Sequence, residues 1–356
     1  MSKILSMPGL FIIGESEISR LAQYVAVYGS PLMLVAHRED AARVQSSLDR
    51  ARADGIEIIY SDFAGEATRA EAGRIGIICR EKGCKAVAGL GGGKAIDTSK
   101  VVANELGLPS VIIPTIAATD SPCSRLAVLY TDDHVFSETV VFQKNPDLVL
   151  VDSKVIAEAP ERFLVAGMGD AFATCYEARA CVLSGSLNIN KGLATNTAFV
   201  LAKACRETLL RDSEKALLAC RSNTVTEELE NIIEANILLS GIGFESGGLS
   251  VAHAVYGGFT EIPDTKGAMH GEIVAIGTLV QLTLENGPAE ELLEATEYYK
   301  SVGLPTSLKD IGVFDATDEK LRPVVDHIML PGSDAYNVPF ELTYEKVLTA
   351  LKTLSC

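Results

Sequence analysis

The chain has 356 residues, of which 47% are hydrophobic and 6% aromatic, with no Trp. This length predicts roughly two domains with a large core of Ala, Val, Ile and Leu, which suits an α/β protein better than an aromatic-rich sandwich. With 31 basic against 47 acidic residues, a net charge of −16, and no clustered basic stripe, phosphate backbones would repel the chain, so nucleic acid is not an expected partner.

The start, MSKILSMPGLFIIGESEISR, carries a short apolar stretch broken by Pro8 and Gly9, which predicts no signal peptide. Leu10–Gly14 reads as a strand, followed by a helix from about Ser16 to Tyr28. Leu32–His37 is a second buried strand, with a charged helical stretch to Arg52. Glu57–Phe63 is a third strand, with a helix over about Arg69–Lys82. Ala86–Lys94 runs from a strand into a glycine turn and another helix, and Ser110–Thr115 makes a fifth strand. Continuous apolar strands separated by helices predict a parallel sheet covered on both faces. A nucleotide-binding α/β domain is the expected class.

Thr131–Asp152 reads as two or three short strands with turns at Asp132-Asp133 and Asn145-Pro146. Nearly everything after Pro160 reads as helix, as in Phe163–Leu183, Asn190–Leu210, Thr226–Phe244 and His270–Glu285. The domains are therefore expected at 1–158 and 159–356, with a ligand cleft between them. No run of about 18 uncharged apolar residues predicts a membrane span. The cysteines, Cys79, Cys84, Cys123, Cys175, Cys181, Cys205, Cys220 and Cys356, form no CxxC pair. Buried free thiols in a reducing cytoplasm are the expectation.

The first chemical signal is Gly89-Leu90-Gly91-Gly92-Gly93-Lys94-Ala95-Ile96-Asp97. Consecutive glycines at a strand-to-helix junction let backbone N–H groups approach an anion, and the helix N-terminus favours negative charge there. Ala88 and Ala95 stand where a P-loop requires Gly and Ser or Thr. Lys94 or Ile96 stands where the GxGxxG fingerprint requires its third glycine, and that fingerprint follows the first strand rather than the fourth. Pyrophosphate binding is the preferred reading over a bare tight turn, but the motif alone names no cofactor.

The second signal is a set of metal-ligand types. Of the five histidines, His253 lies in ESGGLSVAHAVYGGFT and His270 in IPDTKGAMHGE, 17 residues apart with Pro263 and Gly267 between them. Asp170 stands in the apolar stretch VAGMGDAFATCYEARAC without an obvious cationic neighbour. A buried carboxylate needs compensation, and a cation supplies it. Two imidazoles and a carboxylate leave a coordination position open, as at catalytic zinc. Spacing alone leaves ordinary core residues as an equal alternative. His37, His134 and His327 are read as structural or solvated.

Five ordered blocks, GLGGGKAIDTSK (89–100), PTIAATDSPCS (114–124), GMGDAFATCYEARAC (167–181), SGIGFESGGLSVAHA (240–254) and HGEIVAIGTLVQLTLENG (270–287), carry a resemblance over essentially the whole chain. The chain resembles the glycerol dehydrogenases of the iron-containing (group III) alcohol dehydrogenase superfamily. The resemblance implies an N-terminal α/β domain for the cofactor and an all-α C-terminal domain for the metal, the dehydroquinate synthase-like fold. It implies Asp170, His253 and His270 as metal ligands, with zinc rather than iron, and these three with Asp120 as the catalytic set. It places Gly91, Gly92, Gly93, Lys94 and Asp97 on the cofactor turn, and Thr115, Ala118, Ser124, Leu126 and Tyr130 along the nicotinamide and ribose. Asp120 matches the residue that positions the polyol.

The implied reaction is oxidation of glycerol to dihydroxyacetone with NAD, in a cytoplasmic homo-oligomer, often an octamer. Three departures bear on this. Val35-Ala36-His37-Arg38 offers no ribose-binding carboxylate before Glu39, which leaves NADP open beside NAD. Tyr256 stands where many members carry a histidine near the substrate, so 1,2-propanediol, 1-amino-2-propanol or a hydroxy acid stay open as alternatives. Ala95 replaces a frequent threonine. A non-catalytic nucleotide- or metal-binding relative is the reading from another class, and the completeness of the site argues against it.

Overall fold

The computed structural model describes residues 1–355, so Cys356 lies outside the described residues. Six strands form one parallel sheet: β1 (Phe11–Gly14), β2 (Leu32–Ala36), β3 (Ile58–Asp62), β4 (Ala86–Gly91), β5 (Ser110–Pro114) and β8 (Leu148–Asp152). Their spatial order is β1-β8-β5-β4-β2-β3. The four inner strands are buried along their whole length, as continuous apolar runs require when both faces are covered. Alternation splits β2: Leu32, Leu34 and Ala36 join a core with Leu21, Val25 and Leu48, while Met33 and Val35 join Ile75, Cys79 and Val101 on the other face.

β6 (Leu126–Tyr130) and β7 (Phe136–Val141) form a separate antiparallel hairpin. The expected strands of 131–152 thus divide. Phe136–Val141 is exposed or half-buried along its length and stays in the hairpin, whereas the unbroken LVLV of β8 enters the main sheet between β1 and β5. The hairpin begins earlier than expected, at Leu126.

Helices dominate from Glu161 onward. Glu161–Ser184 is buried on most of its surface. The helix expected from Asn190 starts at Asn196 and runs to Arg221, because the Thr195 hydroxyl caps it by accepting from the Ala198 N–H at 3.0 Å. The expected 16–28 helix is instead a short α segment, Leu21–Val25, between two 3-10 turns. The 226–244 pattern is a helix from Glu227 to Gly247 that widens into a π turn at Ala235–Leu239.

Ile112, Val149 and Val151 of the sheet share a core with Leu164, Met168 and Phe172 of the Glu161–Ser184 helix, so the two parts pack face to face. The first residues of the chain lie along the helical part, where the Ile4 N–H donates to the Leu193 carbonyl at 3.1 Å. Among the described residues, no helix is long and apolar enough to cross a membrane.

Candidate active site

Asp170 sits midway along the Glu161–Ser184 helix, His253 on the helix Val251–Phe259, and His270 opens the helix His270–Glu285. Their approach depends on residues without side chains. A Cβ on Gly271 would lie 1.8 Å from the Ala166 carbonyl oxygen, and one on Gly167 would lie 1.9 Å from that of Ala117. Only glycine permits this contact, and the contact draws the His270 helix and the 115–120 loop onto the Asp170 helix.

The Asp170 carboxylate is almost wholly buried. Its Oδ1 lies 3.1 Å from His270 Nε2 and 3.3 Å from His253 Nε2. The ligand atoms of the three residues fall within 4.8 Å of one another. Burial pushes the Asp170 carboxyl up, but the His270 and His253 imidazoles outweigh it and hold the group well below the usual range. Burial pushes His253 down, and the charges of Glu177 and Asp170 override this, leaving it well above its ordinary value.

Sequence reasoning missed Glu177. It is fully buried, its Oε2 lies 2.6 Å from His253 Nδ1, and its Oε1 accepts from the N–H groups of Ser250 and His253 at 2.9 and 3.0 Å. Its position seven residues after Asp170 was the available signal, because two helical turns place both carboxylates on one face. With Nδ1–H donating to Glu177, His253 Nε2 is the ring atom that faces Asp170. A fixed tautomer, a second Nε2 and a carboxylate form a donor set that fits a divalent transition metal.

Asp120 also reaches this point. Its N–H donates to Asp170 Oδ2 at 3.3 Å, and its Oδ2 accepts from the Ser240 hydroxyl at 2.6 Å. Burial and the neighbouring Asp170 charge push the Asp120 carboxyl well up, against the Ser240 hydrogen bond. Tyr256 sets its ring edgewise on His270 at 4.2 Å between centroids.

The glycine turn closes β4, with Gly91 at φ +146°, a conformation that favours glycine. Gly92 and Gly93 line a cleft of about 200 Å³ that also touches Ile116, Ala118, Phe163, Met269 and His270. Phe163 and Met269 had no sequence signal, since neither belongs to a motif.

The other predicted cofactor residues divide by where they point. Lys94 Nζ lies 2.7 Å from Glu66 and 5.1 Å from the Tyr130 ring centroid. Glu66 Oε2 also lies 2.5 Å from His134 Nδ1, so a histidine read as structural or solvated joins the hairpin tip to the glycine turn. The Thr115 N–H donates to the Gly91 carbonyl at 3.1 Å. Asp97 turns inward: its Oδ2 accepts from the Val128 N–H at 2.9 Å and its Oδ1 lies 3.4 Å from Lys100 Nζ. Lys100, buried and also missed, donates to the carbonyls of Ser121 and Leu126 at 2.5 and 2.8 Å. It thereby pins the segment that carries Ser124, whose hydroxyl donates to Ser121 O at 3.1 Å. Asp40, likewise missed, brings Oδ2 to 3.3 Å from where a Cβ on Gly91 would stand.

Residues 8–153 match the iron-containing alcohol dehydrogenase family. A glycerol dehydrogenase of Escherichia coli O6:H1 is 42% identical over 99% of this chain and 96% of its own length. A glycolaldehyde reductase of Halobacterium salinarum is 37% identical over 99% of this chain and 97% of its own. The crystal structure of glycerol dehydrogenase from Schizosaccharomyces pombe superposes with a TM-score of 0.95 at 32% identity, covering 99% of this chain and 90% of that one. The chain belongs to the iron-containing alcohol dehydrogenase family.

Proposed function

We propose that this protein oxidises the secondary hydroxyl of glycerol to dihydroxyacetone, reducing NAD and releasing one proton. The observation that carries this reading is the convergence of Asp170, His253 and His270 beside the cleft that begins at the glycine turn. The likeness to glycerol dehydrogenases over nearly the full chain supports the substrate.

A zinc ion held by Asp170 and the two imidazoles would supply Lewis acidity toward a substrate hydroxyl, and a nicotinamide dinucleotide on Gly91–Gly93 would supply the hydride acceptor. Zinc suits a reaction in which the metal keeps its oxidation state. Asp120 orients the polyol through Oδ1, the oxygen that Ser240 leaves free. Ile116, Phe163 and Met269 give the cleft apolar walls that exclude water. Asp40 beside the glycine turn favours NAD, because its carboxylate repels the 2′-phosphate of NADP.

Residues 1–158 form the cofactor domain and 159–356 the metal and substrate domain in this reading. Lys94, Asp97, Thr115, Ala118, Ser124, Leu126 and Tyr130 build or support the cofactor side, and the chain assembles as a homo-oligomer. The free thiols among the described residues suit a reducing cytoplasm.

The test is NADH formation with glycerol, 1,2-propanediol, 1-amino-2-propanol and hydroxy acids, and NADH consumption with glycolaldehyde. Each substrate is run with both cofactors, with and without chelator, beside metal analysis of the purified protein. Glycerol and NAD should give the highest turnover, lost on chelation and restored by zinc. Silence with every substrate and both cofactors would overturn the reading.

A further inference from the structure

The helix from Glu227 to Gly247 widens into a π turn at Ala235–Leu239 beside the candidate active site. Such turns commonly mark functional positions, because they re-aim side chains that a regular helix would phase differently. Two polar residues here face the 115–124 loop. Asn236, fully buried, donates from Nδ2 to the carbonyls of Ala117 and Leu164 at 3.0 and 3.1 Å. Ser240, the first residue after the π turn and also fully buried, donates to Asp120 Oδ2 at 2.6 Å. Behind it, the buried Thr174 hydroxyl lies 2.9 Å from Ser240 Oγ.

The donor direction follows from the chemistry. The Ser240 hydroxyl has a single proton and donates it to Asp120 Oδ2, so Thr174 must donate to Ser240. The row Thr174, Ser240, Asp120 is a one-way chain of hydroxyls ending on one carboxylate oxygen. Thr174 stands one helical turn beyond Asp170, so the chain is anchored on the helix that carries a candidate metal ligand. Asp120 Oδ1 has no hydrogen-bond partner among the described residues and is left for the substrate.

We propose that Ser240, backed by Thr174, is a positioning residue that sets the orientation of Asp120 toward the polyol. This rests on the reading of Asp120 as the substrate-orienting carboxylate. Without Ser240 the Asp120 side chain can rotate about its Cβ, and the substrate hydroxyl loses a fixed acceptor. A misplaced acceptor lowers kcat as well as raising KM, because alignment matters most in the transition state.

A double-mutant cycle on the metal-loaded full chain tests this, using Ser240→Ala, Asp120→Asn and both together. Ser240→Ala should keep wild-type metal content and NADH affinity while losing about tenfold or more in kcat/KM with glycerol. In the Asp120→Asn background the same change should cost no more than about twofold, since the group it orients is already altered. Thr174→Val should lose about threefold and Thr174→Ser should restore activity. An equal loss from Ser240→Ala in both backgrounds, or loss of metal from that variant, would overturn the proposal. A wild type that turns over another hydroxyl compound but not glycerol overturns the glycerol reading alone, and the cycle is then run on that compound. A wild type inactive on every alcohol overturns both.

Discussion

The two halves of the molecule hold their polar groups in different ways. On the sheet side, Arg38 and Asp62 pair at the surface at 3.8 Å with side chains 83% and 51% exposed, and the buried Asp97 and Lys100 face each other and backbone groups. In the helical half, Asp170 and Glu177 are almost wholly buried and face two histidines. An exposed pair contributes at most about 1 kcal/mol. Removing one partner from a buried set destabilises by about 3–5 kcal/mol, because the remaining charge is stranded away from water. An exposed pair such as Arg38–Asp62 thus tolerates change, and the buried metal set does not.

Substitutions at the ligands probe the metal side most severely. Asp170→Ala or His270→Ala should abolish metal content and turnover together while circular dichroism keeps the native helical signal; turnover by a metal-free variant would break the contrast. Next in size is Glu177→Gln, which keeps the shape but weakens the acceptor that fixes the His253 tautomer. Metal affinity, read by competition with a chelator, should fall about 10- to 100-fold.

A change on the sheet side should alter preference rather than assembly. Asp40→Asn should raise turnover with NADP relative to NAD by about tenfold through loss of a repulsive charge, with metal content unchanged. The smallest effect is expected at Glu66. Burial pushes its carboxyl up, but the hydrogen bonds from His134 and Lys94 prevail and hold it below the ordinary glutamate value. A carboxyl lowered on folding stabilises the protein above its unfolded value, about 4.3, and loses that contribution as pH falls through the folded value. Glu66→Gln should therefore lower the melting temperature by about 2 °C at pH 7. The difference should vanish in strong acid, and a constant gap down to pH 2 would contradict the assignment.

The parallel strands were legible because each is a continuous apolar run, and the glycine turn because its residues are contiguous. Helix ends were harder. The Asn196–Arg221 helix starts where the Thr195 hydroxyl caps it, and many polar residues nearby could have served as the cap. Asp170, His253 and His270 were readable as ligand types, but without the family resemblance nothing in their spacing distinguishes them from ordinary core residues. Glu177 was within reach of helical periodicity. Lys100, Ser240 and Asn236 were not, because the carbonyls and the carboxylate they bond lie on segments distant in the chain.

By itself, the sequence determined the α/β-then-helical order, the turn after β4 and the chemical types available for a metal, since local patterning governs all three. The tertiary structure decided which atoms meet. It brought three helices close enough, through Gly271 against Ala166 and Gly277 against Ala252, to place two Nε2 atoms within 3.3 Å of Asp170 Oδ1. It also turned Asp97 inward and brought Asp40 to the glycine turn. Such meetings depend on the crossing and separation of whole helices, which are set by the sum of packing contacts and not by any one segment.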